Sequence, residues 1–136
     1  MEILDKLKSM VGVGAPTITL VPAAPARAGE LLRGTIALRG GEYDTPVTDI
    51  AIQLDEMRVV YNALARPEQQ FWRRVAEVVI VLEGRTLAAG ELLELPFELV
   101  MPVDVQPSGA AVSYLLIANT EVPGLNPRTE LTLEVA

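Results

Sequence analysis

The stretch that decides the fold is Leu31-Leu32-Arg33-Gly34-Thr35-Ile36-Ala37-Leu38-Arg39, closed by Gly40-Gly41. Apolar positions 32, 36 and 38 share one side of an extended chain, and polar positions 33, 35 and 39 share the other. Alternation with a period of two predicts a half-buried β-strand. Gly34 lies on the apolar side, which predicts a bulge or the close approach of another backbone there.

Similar runs recur along the chain, each closed by Gly, Pro or an acidic cluster. We predict strands at about 17–21, 31–39, 47–61, 71–83, 92–101, 110–118 and 130–135. About seven short strands separated by turn signals favour an all-β, immunoglobulin-like β-sandwich.

Local features refine three of these strands. The run Val78–Leu82 is apolar on both faces, which predicts a central strand or one covered on its second side, and Glu83-Gly84 then predicts a turn. Pro96 predicts an edge strand or a bulge. Near Asp55-Glu56 the apolar alternation changes phase, because Met57 carries the apolar signal next, and a phase slip predicts a β-bulge.

The first residues have a different pattern. Residues 2–11 predict a short amphipathic helix with Ile3, Leu7 and Met10 on its apolar side. We therefore expect a helix and linker over 1–14 and a single sandwich domain over 15–136. A helix this short needs a docking surface, which is its own sandwich, a neighbouring subunit or a membrane; its mixed charge argues against the membrane.

Composition excludes several function classes. The 136 residues include no His and no Cys, and the formal net charge is −7. A disulfide scaffold, a thiol nucleophile and a Ser–His pair are therefore excluded, and binding of nucleic acid is disfavoured. No apolar run is long enough to span a bilayer, and Glu2 and Asp5 lie where a signal peptide is positive, so we expect a cytoplasmic protein.

The acidic residues are the remaining candidates for chemistry. Glu42, Asp44 and Asp49 form one group and Asp55-Glu56 another, but neither has the spacing of a calcium loop. We interpret both groups as solvated turns. The sequence thus predicts no catalytic residue, no metal site and no cofactor, and hence a protein that is not an enzyme.

An aromatic cluster is the best candidate for binding. Tyr61, Phe71 and Trp72 flank one predicted hairpin loop beside Arg73 and Arg74. Aromatic residues and Arg are enriched at the centres of protein interfaces, so we expect these residues to contact a protein partner or a second copy. The alternative is that one ring closes the end of the core while the other stacks on an Arg.

Several motifs, in order, resemble the SpoOM-type sporulation-control family of arrestin-like β-sandwiches. The first half of the resemblance is carried by Val11-Gly12-Val13-Gly14, Gly29-Glu30, Leu32-x-Gly34-x-Ile36, Gly40-Gly41 and Ile50-x-Ile52-x-Leu54. The second half is carried by Leu95-Pro96-Phe97-Glu98-Leu99, Met101-Pro102, Pro107-Ser108 and Tyr114-Leu115-Leu116.

The resemblance implies a non-enzymatic regulatory or adaptor module that acts through protein contacts. Proteins of this kind typically carry two sandwiches in tandem, and this chain resembles the N-terminal half only. The face that a second sandwich would cover is then open to homodimerisation, to strand addition at a sheet edge or to the N-terminal helix. A structural, self-associating module without a signalling role is the alternative function.

Overall fold

The computed structural model describes residues 14–23, 25–60, 69–122 and 127–136. Seven strands form two antiparallel sheets, with no helix among the described residues. The strands are β1 (Thr17–Pro22), β2 (Leu31–Arg39), β3 (Thr45–Val60), β4 (Gln69–Leu87), β5 (Leu92–Val100), β6 (Val112–Thr120) and β7 (Arg128–Leu133). The all-β sandwich predicted from the sequence is thus confirmed, whereas the predicted helix over 2–11 lies outside the described residues.

The two sheets differ in width. One has the strand order β1-β2-β5, and the other has the order β4-β3-β6-β7. Their inner faces enclose one aliphatic core, because every second residue of each strand points inward. Its fully buried side chains include Leu32, Ile36, Ile50, Ile52, Leu54 and Leu116.

Gly34 shows why β2 needs a glycine at an inward position. A Cβ placed on Gly34 would lie 2.6 Å from a ring carbon of Phe97 and 2.6 Å from the carbonyl oxygen of Val21. The close approach predicted from the sequence is confirmed. Pro96 is also confirmed at an edge, since β5 pairs with β2 and ends that sheet.

Strand β4 differs most from its prediction. It is the edge of the four-stranded sheet, and its Val79 and Val81 side chains are 47% and 65% exposed. The strand is therefore not central, and among the described residues none buries these two side chains. Glu83 and Gly84 do not end it. Both have positive φ and lie within β4, where the register with β3 shifts. The strand continues to Leu87 because the irregularity is a bulge and not a turn.

The bulge predicted near Asp55-Glu56 is present, but its extra residue is on the other strand. Between the pairs Leu54↔Ala76 and Asp55↔Arg74, strand β4 contributes one residue more than β3. The phase of β3 itself does not change, so Glu56 follows Leu54 on the inward side. The interpretation of a phase slip within β3 was therefore wrong. Strands β6 and β7 were each predicted two residues out of place.

Candidate functional site

The two longest strands extend beyond the pairing of β3 with β6 at both ends: residues 45–49 of β3 precede the pair Ile50↔Thr120, and residues 59–60 follow the pair Arg58↔Val112. Strand β3 has 16 residues and β4 has 19, whereas no other strand has more than 9. Pairing of β3 with β6 stops at Arg58↔Val112, while pairing with β4 continues to Val60↔Gln69. We call residues 56–60 and 69–74 the arm. Residues 70–74 of the arm are all exposed.

A carboxylate lies buried at the base of the arm. Glu56 is 1% exposed, and its neighbours in register are Arg73 on β4 and Tyr114 on β6. Arg58 comes two residues later on the same side of β3 and donates from Nε to Oε1 of Glu56 over 2.6 Å. Adjacent strands therefore bring one acid, two guanidinium groups and one phenol together.

The contacts of this group are unequal. A guanidinium nitrogen of Arg73 lies 3.4 and 3.5 Å from the two carboxylate oxygens, much farther than the nitrogen of Arg58. The Tyr114 hydroxyl lies 2.6 Å from the carbonyl oxygen of Gln106 and 3.4 Å from Glu56. Because the hydroxyl has one proton, it donates to Gln106 at the shorter distance. Arg58 is thus the principal partner of Glu56.

These contacts keep the carboxylate charged. Burial by itself would raise the pKa of Glu56, but the hydrogen bond and charge of Arg58, assisted by Arg73, lower that pKa below 4.5 overall. The hydrogen bond to Glu56 in turn raises the pKa of Arg58. Burial, and then the negative charge of Glu56, raise the pKa of Tyr114. At neutral pH the group therefore holds an ionised acid, two cations and a neutral phenol.

An open cleft of about 430 Å³ lies against this group, lined by Glu56, Arg58, Phe71, Arg73 and Asp104. The Arg58 and Arg73 side chains are 42% and 56% exposed, so each guanidinium group presents further N–H donors to the cleft. Phe71 adds an apolar ring. Because Asp104 adds a second acid to the lining, the cleft suits a neutral acceptor such as a carbonyl group beside an apolar side chain.

The structure divides the predicted aromatic cluster between two faces of the arm. Phe71 and Arg73 line the cleft, whereas Trp72 lies on the opposite face, across from Met57. Arg74 shares the face of Trp72 and pairs with acidic neighbours. Tyr61, Ile3, Leu7 and Met10 lie outside the described residues.

Neither described ring of the cluster closes the core. Phe71 is 53% exposed and Trp72 is 55% exposed, so the alternative in which one of them closes the end of the core is wrong for this pair. The ring that does reach the core at the base of the arm is that of Tyr114, which is 2% exposed.

Sequence reasoning missed the central residue of the cleft. Asp55 and Glu56 lie in β3 and not in a solvated turn, and Glu56 is buried. The even spacing of Ile50, Ile52 and Leu54 gave the signal, since the next inward position is 56. Within the described ranges, no three acidic, His or Cys side chains are placed to hold a metal ion. Nor does that part of the chain contain a helix able to cross a membrane.

Fold and arm together define the class of protein: an all-β sandwich of two antiparallel sheets with an arm at one end that is exposed along residues 70–74. The family model described as SpoOM protein matches residues 4–122. The chain therefore belongs to the SpoOM protein family, as the resemblance of its motifs implied.

A solved structure agrees with this assignment. The chain is similar to the crystal structure of Spo0M, sporulation control protein, from Bacillus subtilis, with a TM-score of 0.79 and 19% sequence identity. The match covers 90% of this chain and 50% of that protein, so the chain spans about half of its length. At this identity the likeness concerns the fold. Comparison with curated proteins finds no match.

Proposed function

We propose that this chain is a non-enzymatic, cytoplasmic regulatory or adaptor module whose arm contacts a protein partner. The observation that carries the proposal is the exposure of Phe71 and Trp72, which present two large rings on the two faces of one edge strand. An exposed aromatic pair leaves apolar area in water that association would bury, and aromatic side chains are frequent hot spots of interfaces.

The cleft adds a directional, polar part to this surface. Glu56 holds Arg58 through a short hydrogen bond, so the guanidinium group is already placed at the cleft before any partner binds. A fixed donor loses little conformational entropy on binding. The partner that suits the arm presents an apolar side chain to Phe71 and an acceptor oxygen to Arg58 or Arg73.

The electrostatics of the cleft favour binding over catalysis. A general acid or base at neutral pH needs a pKa near 7, and for a carboxyl group this requires a raised value. The pKa of Glu56 is lowered instead, and its carboxylate is paired with two cations. The sequence contains no His or Cys to supply another catalytic group.

The sequence features also support the cellular context of the proposal. The chain contains no Cys, which suits a reducing compartment, and its formal net charge is −7. Family membership adds that a solved relative is a sporulation control protein, which is a regulatory role. Together these features support a cytoplasmic regulator.

A second candidate is a structural module that self-associates. The observation that favours it is the edge strand β4, whose described ladder pairs only with β3 and whose Val79 and Val81 are exposed. Such an edge can accept a strand from a second copy. Light scattering over a range of protein concentrations separates the two candidates, since this one requires a homodimer.

Site-specific photo-crosslinking in the source cells tests the proposed function. A photoreactive amino acid is placed at 71 or at 72, and at Val100 as the control, because Val100 is 68% exposed on the other sheet. We expect one distinct protein to be crosslinked from both arm positions and not from 100. The same products from all three positions would contradict the proposal, and crosslinks only to a second copy would favour self-association.

A further inference from the structure

The outer face of the four-stranded sheet, which points away from the core, is not an ordinary solvent face. Ile117 in β6 points to this face, because its neighbours Leu116 and Ala118 belong to the core and successive side chains alternate. Gln53 in β3 is opposite Ile117 and points the same way.

The side chains at the centre of this face are more buried than expected for a face that points away from the core. Ile117 is 2% exposed and Gln53 is 8% exposed, although both point away from the core. The outward side of a sheet with one solvated face normally carries exposed polar residues. Two buried residues side by side at its centre are what a cover over this face would produce.

The outer face also has exposed apolar side chains and a depression. Ala51 lies between Val79 of β4 and Asn119 of β6, and Val79 is half exposed. A depression of about 180 Å³ is centred on this row and is lined partly by Asp49 and Glu121. The lining of the depression is thus mixed: Ala51 and Val79 are apolar, Asp49 and Glu121 are acidic, and the other lining residues are polar and uncharged.

The described chain begins near the same end of the sandwich. The carbonyl oxygen of Gly14 accepts a hydrogen bond of 2.9 Å from the amide of Glu42, in the link from β2 to β3. Gly41 in that link accepts a bond of 3.1 Å from Gly90, in the link from β4 to β5. Gly14 has a φ of 72°, which allows a sharp change of direction. The residues before Gly14 therefore start beside the β3 end that carries Asp49.

The sequence of residues 2–11 fits this face in length and in character. Ten helical residues would extend about 15 Å. The four steps along β3 from Asp49 to Gln53 cover about 13 Å, slightly less than the length of such a helix. Ile3, Leu7 and Met10 give the segment an apolar side. Its polar side carries mixed charge, Lys6 and Lys8 together with Glu2 and Asp5, and the two lysines are the groups that suit the acidic lining of the depression.

We propose that residues 2–11, which lie outside the described residues, dock as an amphipathic helix on the outer face of the four-stranded sheet of their own chain. Ile3, Leu7 and Met10 pack on the row formed by Ala51 and its neighbours and on Ile117. The inference is independent of the arm, which lies at the opposite end of β3.

Because the chain has no Cys, paired cysteine substitutions test the docking cleanly. Met10→Cys is combined with Ala51→Cys on the proposed face, or with Thr35→Cys, which is exposed on the outside of the other sheet, as a matched control. We expect the first pair to form an intramolecular disulfide at least about tenfold faster than the control pair, independent of protein concentration. Equal rates, or a disulfide-linked dimer that disappears on dilution, would overturn the proposal.

A labelling experiment tests the docking with a single cysteine, so that it does not depend on the folding of the paired-cysteine variants. Gln53→Cys is reacted with a maleimide in the otherwise native chain and in the chain that also carries Leu7→Glu. We expect slow labelling of the first and labelling about tenfold faster in the second, because a charged side chain on the apolar side weakens docking. Circular dichroism confirms that the sandwich is intact. The same labelling rate in both chains would overturn the proposal.

Discussion

Removing either partner of the ion pair at the base of the arm should have unequal effects. Arg58→Gln leaves the Glu56 carboxylate 1% exposed and dependent on contacts of 3.4 and 3.5 Å to Arg73. A buried charge that has lost its close partner costs about 3–5 kcal/mol. Since Arg73 still supplies positive charge, we expect the free energy of unfolding to fall by about 3 kcal/mol.

Glu56→Gln should cost less, because no buried charge is left behind. The Arg58 and Arg73 side chains are 42% and 56% exposed, so water can solvate both guanidinium groups. The loss is one charge-assisted hydrogen bond, worth about 1.5–3 kcal/mol, reduced by the desolvation that the carboxylate no longer undergoes. We expect a net loss of about 1 kcal/mol.

Urea unfolding at pH 7, followed by circular dichroism, measures these values. The double variant should be about as stable as Glu56→Gln alone, because removal of the acid removes the penalty of Arg58→Gln. Arg128→Gln is the matched control: its partner Glu130 is half exposed, so its cost should stay below about 0.5 kcal/mol. The reasoning is refuted if Arg58→Gln costs no more than Glu56→Gln, or if the two costs add.

The same pair predicts a dependence on pH. The folded chain holds the pKa of Glu56 below 4.5, so the unfolded chain takes up the proton first as the pH falls. Stabilisation by the ionised carboxylate is therefore complete above about pH 5 and is lost as the pH falls through the folded pKa. The stability difference between the native chain and Glu56→Gln should shrink below about pH 4.5. A difference that stays constant to pH 3 would contradict the lowered pKa.

Four further substitutions distinguish buried positions from an exposed one. Gly34→Ala should cost about 1–3 kcal/mol, because the new methyl group would lie 2.6 Å from a ring carbon of Phe97. Tyr114→Phe should cost about 1–2 kcal/mol through loss of its 2.6 Å hydrogen bond. Trp72→Ala should cost less than about 1 kcal/mol, because the ring is 55% exposed, whereas Leu54→Ala at a fully buried position should cost about 2–5 kcal/mol. Urea midpoints at pH 7 provide all four values.

A specific result would contradict the prediction for each of these substitutions. Gly109→Ala is the control for Gly34→Ala, since no atom lies within 4 Å of a Cβ there, and equal costs would contradict the close approach. No loss in Tyr114→Phe would show that the phenol is not needed to satisfy the Gln106 carbonyl. A cost for Trp72→Ala as large as that for Leu54→Ala would mean that the ring is part of the core.

Local patterns were sufficient for the strands whose environment is simple. Strand β2 has a solvated face and a buried face, so its alternation predicted both its bounds and its inward positions. Pro96 correctly indicated an edge because proline lacks the N–H that an inner strand needs. In both cases the residues of the strand itself indicate its environment.

The errors arose where the position of a residue depends on residues of another strand. Glu56 carries a charge, and charge usually marks the surface, but Arg58 and Arg73 on two strands neutralise it inside. The bulge on β4 was assigned to β3 because a register shift between two strands has no separate signal in either sequence. The exposed valines of β4 were predicted to be buried, since composition does not distinguish a core strand from an edge strand with exposed apolar side chains.

An affinity measurement is the most direct test of whether the arm binds a protein. The protein recovered by crosslinking is purified and titrated against the native chain, the Phe71→Ala/Trp72→Ala double variant and Val100→Ala. We expect binding at least about tenfold weaker for the double variant, because a pair of hot spots is lost, and unchanged binding for Val100→Ala. Equal affinity for all three chains would contradict the proposal.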